Sequence, residues 1–159
     1  MDTKRVLQGI FFFSLFVLFA TKPSYAANAL IGLTPSTGSY AVGEVFTVSV
    51  QLDGGGEEFN VAQAAIAISD NLAIEDLVFG NCGFAFITTP TVSSPSFLGG
   101  ILGGKAKSCT VYTMKIKGKA PGTTVVTITD AKMKQYTTAQ ELSPRITKAS
   151  YTIRSQGNG

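Results

Sequence analysis

The chain reads as a single all-β domain, an antiparallel β-sandwich of about nine strands. Three observations predict this. Apolar residues alternate with polar ones on a period near two in several separate segments, Gly- and Pro-rich stretches punctuate those segments, and a 3.6-residue apolar period is almost absent. With 159 residues, 17 of them Gly and 6 Pro, the chain is long enough for one domain with a real core.

Each element follows in order. Leu30–Thr34 suits a first strand that ends at Pro35, and TPSTGSY reads as a turn-rich stretch. In VFTVSVQL, Phe46, Val48, Val50 and Leu52 share the face expected to point at the core, while Val45, Thr47, Ser49 and Gln51 face outward. Asp53–Gly56 is a loop with Glu57-Glu58 at its tip. Val61–Ile68 follows, with Ala64, Ile66 and Ile68 inward and Gln63, Ala65 and Ala67 outward. Ser69–Asn71 turns into Leu72–Phe79, which reads as a strand although its spacing also suits a short helical turn. Gly80–Gly104 is rich in Gly, Pro, Ser and Thr, with short strands expected around Phe84–Thr88 and Ser96–Leu98.

Thr110–Asp130 is the strongest signal: two apolar-alternating segments joined by Lys119-Ala120-Pro121-Gly122. Pro121 pre-sets φ and Gly122 tolerates a positive φ, so strand, tight connection and strand are predicted, the second continuing to Gln135. Tyr136–Leu142 is a polar connection, Pro144 breaks the chain, and Ile146–Ile153 is the last strand. Residues 154–159 form a Gly/Asn/Gln tail.

The N-terminus carries an export signature. Lys4 and Arg5 precede an apolar run, GIFFFSLFVLFA, and small residues follow at Ala26, Ala27 and Ala29, which marks 1–26 as a signal peptide cleaved after Ala26 or after Ala29. The run is shorter than the ~20 residues that span a bilayer, so membrane contact is expected only during export. A retained anchor and a prepilin-type leader are the alternatives. Secretion, or display at the cell surface, is the expected localisation.

Charge and missing residue types limit the chemistry. The formal charge is +3, and the leader's three basic and one acidic residues account for most of it. Binding to nucleic acid is not expected of so neutral a remainder. From Ala27 to Gly104 there are acids but no Lys or Arg, and the basic residues begin at Lys105. Neighbouring strands can neutralise one another, or Lys115, Lys117 and Lys119 can form a basic patch for an acidic partner. There is no His, which removes Ser–His and Cys–His nucleophilic schemes and histidine metal sites, and no Trp. The acids at Asp53, Glu57 and Glu58, and at Asp70, Glu75 and Asp76, could pair for glycosidic chemistry or hold calcium. Neither set has EF-hand spacing, and solvated loop surface is the plainer reading. No catalytic residue, cofactor or metal ligand is assigned. Cys82 and Cys109 are the only cysteines and, in an exported chain, are expected to form a disulfide.

The order of segments resembles the cohesin-like domains of the carbohydrate-binding β-sandwich superfamily. The residues that carry the likeness are Tyr40-Ala-Val-Gly-Glu-Val-Phe-Thr-Val, Asn60-Val61 with Leu72 and Leu77–Gly80, and Lys115-Ile116-Lys117 with Ala120-Pro121-Gly122-Thr123 as a late hairpin. It covers about 29–153. The resemblance implies a jelly-roll topology and a non-catalytic recognition module that binds polysaccharide or a dockerin-like protein through a sheet face or loops. It nominates the outward residues Gln63, Ala65, Ala67, Val125, Thr127 and Thr129 as the partner face. The Cys82–Cys109 pair is not a hallmark of the family. A structural subunit of an extracellular filament or surface layer, joined through edge strands, is the second function class.

Overall fold

The computed structural model describes residues 28–157; the signal peptide expected at 1–26 and the last residues of the tail lie outside them. The strands are β1 (Leu30–Thr34), β2 (Thr37–Ala41), β3 (Val45–Asp53), β4 (Phe59–Ile68), β5 (Leu72–Phe79) and β6 (Ala85–Thr88). They continue as β7 (Phe97–Gly100), β8 (Ser108–Gly118), β9 (Gly122–Gln135), β10 (Glu141–Leu142), β11 (Arg145–Ile146) and β12 (Ala149–Arg154). One sheet runs β11-β1-β3-β8-β5 and the other β2-β12-β9-β4-β7-β6, with β10 added beside β9. The all-β sandwich is as expected.

Its details differ from the reading of the sequence. There are twelve strands among the described residues rather than about nine, and the sheets are mixed: β1 pairs β11 in parallel, and β12 pairs β2 in parallel. The stretch read as a turn holds β2, and the last predicted strand is two strands, β11 and β12, on opposite sheets. The predicted late hairpin is not one. β8 lies in the first sheet and β9 in the second, so Lys119–Pro121 arches across the sandwich instead of closing a ladder. Gly118 sits where the arch starts, and a Cβ there would lie 2.8 Å from the Ile153 side chain.

The core lies between the sheets. Val48, Val50 and Leu52 of β3, Met114 and Ile116 of β8, Ile66 of β4, Val126 and Ile128 of β9 and Ile153 of β12 are buried there. Alternation explains most of it: side chains two apart on a strand share a face. The uneven spacing of Val111, Met114 and Ile116 has a different cause. The β3–β8 register shifts at Val50/Gln51, where Tyr112 faces Val50 and Thr110 faces Gln51. Val111 is the extra residue of this bulge, and both Val111 and Tyr112 are buried. The Tyr112 hydroxyl donates to the Pro95 carbonyl, and that of Tyr151 to the Pro35 carbonyl at 2.6 Å. Burial pushes both phenols above their usual titration range.

Cys82 and Cys109 are joined, with Cα atoms 5.0 Å apart. The bridge fastens the segment between β5 and β6, which crosses from one sheet to the other, to the start of β8.

Candidate protein-recognition face

β4 and β9 are adjacent in the second sheet, and their register decides which outward side chains meet. Ala65 lies opposite Thr129 and Ala67 opposite Thr127, so four of the nominated residues form two cross-strand pairs. Val125 lies one step further along β9, 42% exposed and opposite Ser150 of β12. Its backbone N–H donates to the Ser69 hydroxyl at 2.8 Å, which ties the Ser69–Asn71 turn to the strand. Gln63 closes the other end, opposite Leu98 of β7 and Lys132 of β9. The fold therefore gathers all six nominated residues on one outward surface.

A bulge shapes that end of the surface. The register shifts between Gln63 and Ala65, which leaves Asp130 and Ala131 of β9 opposite Ala64. Asp130 takes a φ of 47°, a left-handed conformation that Asp adopts more readily than most residues. Thr129 and Asp130 are consequently both exposed. The Asp130 carboxylate accepts from Gln63 Nε2 at 2.9 Å and lies 3.9 Å from Lys132 Nζ. Asp130, Lys132 and Leu98 were not among the nominated residues. Their signal was present in the sequence: Ile128 and Met133 are both buried although five residues apart, which strict alternation forbids and a bulge allows.

The result is a strip of small uncharged side chains, Ala, Thr and Val, with the Gln63–Asp130–Lys132 cluster at its end. Short side chains let a partner's backbone approach closely, and the Thr hydroxyls can donate or accept. No nucleophile–base pair is assembled on it.

The acidic clusters are dispersed. Asp53 accepts from the Gly55 N–H at 2.8 Å, Glu57 accepts from the Gln135 amide, and Glu58 pairs with Lys105 at 2.7 Å, raising the lysine's pKa. These three residues thus take separate partners, and among the described residues no three His, Cys, Asp or Glu side chains gather in a metal-binding arrangement. Another bulge, at Ile74/Asp76 of β5, turns Glu75 and Asp76 both outward, against Lys117 at 3.3 Å and Lys115 at 2.8 Å. The Lys115 hydrogen bond, helped by the Leu77 N–H, holds the Asp76 carboxyl below its usual range. Neighbouring strands thus neutralise each other, and Lys115 and Lys117 are not a free basic patch.

The tyrosines offer little to a sugar ring. Tyr112 and Tyr151 are buried, and Tyr40 stacks on Phe46 with ring centres 3.9 Å apart. Tyr136 is exposed, with Lys105 Nζ 5.4 Å from its ring centre.

No protein-family model matches the chain, and no curated protein matches its sequence. Solved structures do. A non-cellulosomal cohesin from the hyperthermophilic archaeon Archaeoglobus fulgidus superposes with a TM-score of 0.64 at 12% identity, over 82% of this chain and 94% of that one. The third ScaB cohesin of R. flavefaciens, solved with a group 1 dockerin, gives 0.63 at 13% identity, over 84% and 100%. A type II cohesin domain from the cellulosome of Acetivibrio cellulolyticus gives 0.63 at 11%, over 79% and 98%. At such identities the likeness establishes the fold: this chain has a cohesin-like sandwich.

Proposed function

We propose that the chain is a non-catalytic, exported protein-recognition module that docks a dockerin-like partner on the outer face of the β4–β9 strip. The observation that carries the reading is the register that sets Ala65 against Thr129 and Ala67 against Thr127, four small uncharged side chains on one outward face. Similarity to cohesins solved with bound dockerins supports a protein partner. A polysaccharide is the weaker ligand, because two of the four described tyrosines are buried and a third is partly buried and stacked on Phe46. The lack of His and the dispersal of the carboxylates support a role without catalysis. The disulfide suits an oxidising compartment outside the cytoplasm, and the leader at 1–26 supplies the export route.

Calorimetric titration of the chain against a panel of dockerin modules and soluble polysaccharides tests this. Binding to a dockerin is expected, and Ala67→Arg or Thr127→Arg should abolish it with the melting temperature unchanged, because these side chains face solvent. Polysaccharide binding that survives both substitutions would refute the assignment, as would the absence of any dockerin binding. Mass spectrometry of the exported protein tests cleavage after Ala26 or Ala29.

A further inference from the structure

Ala29 precedes β1, yet its side chain is fully buried and belongs to the core. Its carbonyl accepts from the Arg145 N–H at 2.8 Å, a rung of the parallel β1–β11 seam that goes on with Leu30 opposite Arg145 and Ile31 opposite Ile146. The Asn28–Ala29 peptide is also covered by the loop after β3. Gly55, at a φ of 65°, comes so close that a Cβ there would lie 2.4 Å from the Asn28 carbonyl carbon and 2.6 Å from the Ala29 nitrogen. That loop is itself fixed: Gly55 N–H donates to the Asp53 carboxylate and Gly54 N–H to the Lys107 carbonyl, each at 2.8 Å. The first residues of a domain are poorly ordered unless something ties them down. Core, seam and loop together tie down Ala29.

The cleavage site of the leader is constrained by this tie. An export peptidase needs a pair of small residues, and both Ser24 with Ala26 and Ala27 with Ala29 supply one, so the motif alone fits either cut. Burial shields neither bond, because a leader is removed before the chain folds. It decides instead what each product can build. A cut after Ala26 keeps Ala29 in the domain. A cut after Ala29 deletes a core side chain, takes the acceptor from the Arg145 N–H, uncovers Gly55, and makes Leu30, which pairs with Asp53 of β3, a charged chain end.

We propose that the leader is cut after Ala26, so that the exported protein begins at Ala27 and keeps Ala29 as the tie between β1 and β11. The inference rests on the reading of residues 1–26 as a signal peptide.

Mass spectrometry of the protein exported from the full precursor identifies its first residue, and Ala27 is expected. Deleting 27–29 from the precursor sets Leu30 directly behind Ala26 and measures the tie. In urea titration the exported product should show an unfolding equilibrium constant raised more than about tenfold. Where the deletion yields no folded protein, Ala29→Gly keeps the chain length and the carbonyl but loses the buried methyl, and its urea midpoint should still fall. An exported protein that begins at Leu30 overturns the proposal. So does a deletion product as stable as the wild type, or an Ala29→Gly midpoint that does not move. An exported protein that still begins at Met1 overturns the signal-peptide reading itself, which separates that failure from this one.

Discussion

Breaking the Cys82–Cys109 bridge should weaken the domain through its unfolded state while leaving the folded one nearly unchanged. The bridge spans a separation of 27 residues. Restoring that loop's freedom to the unfolded chain costs about 3.5 kcal/mol of stability by chain-entropy reasoning. For a domain of this size that corresponds to a fall in melting temperature of about 10–15 °C. The folded geometry at the bridge has other supports. Gly80 N–H donates to the Val111 carbonyl at 2.9 Å, Cys82 N–H to the Thr110 carbonyl at 3.3 Å, and Thr110 N–H to the Asn81 side chain at 2.8 Å. Three hydrogen bonds therefore hold the segment against β8 when the sulfurs are apart. The assay is urea unfolding of the oxidised and the reduced wild type, which differ in no side-chain volume, with the Cys82→Ala/Cys109→Ala protein as a check that reduction was complete. Amide spectra of the folded forms should differ only near residues 80–84 and 108–111. A loss below about 1 kcal/mol would refute the reasoning, and so would spectral change spreading into β3 and β9.

Four further outcomes follow from packing and charge. Gly80→Ala should destabilise the domain by more than about 2 kcal/mol, because its Cβ would fall 2.1 Å from the Thr110 carbonyl oxygen, as denaturant midpoints will register. Tyr112→Phe removes the hydroxyl that satisfies the Pro95 carbonyl and should cost about 1–3 kcal/mol. Because burial raises the folded pKa of Tyr112 and Tyr151 above the ordinary 10.0, their stabilisation is complete below pH 10.0 and is lost as pH rises beyond it. Phenolate absorbance should show these two rings ionising only as the chain unfolds. Asp76 is the opposite case. Its carboxyl is held below 3.8 by Lys115, so its contribution is present above that pH and is lost as pH falls through the lower folded value. Lys115→Met should flatten that part of the acid unfolding profile, read as urea midpoint against pH.

Strands were legible where alternation was strong. In β3, and in β9 as far as Ile128, the buried residues follow the alternation. β2 was hidden because TGSYA carries no apolar alternation; it is a strand because β12 lies parallel beside it, a contact more than 100 residues distant that no local window contains. The β8–β9 arch misled for a related reason. A Pro-Gly turn reports that the chain reverses but not in which sheet it lands, and the landing is decided by which apolar face finds the core. The outward positions of β4 and β9 were legible because period two assigns faces, while the choice of these two strands as a candidate face came from the family resemblance. Asp130 escaped because a bulge breaks that period.

The two parallel seams have a consequence in time. Leu30 pairs with Arg145 and Thr37 with Ser150, so the opening strands of the domain find these neighbours only in its closing ones. Long-range pairings are entropically costly to nucleate, and sandwiches dominated by them fold on a scale of milliseconds to seconds. A growing chain can assemble β3, β8 and β5, or β4, β7 and β9, as soon as each has been made. It cannot cover the free flank of β9, or seat β2 at all, until β12 emerges. A ribosome paused before residue 145 would hold a half-closed sandwich whose β1 and β9 flanks stay open to any strand nearby.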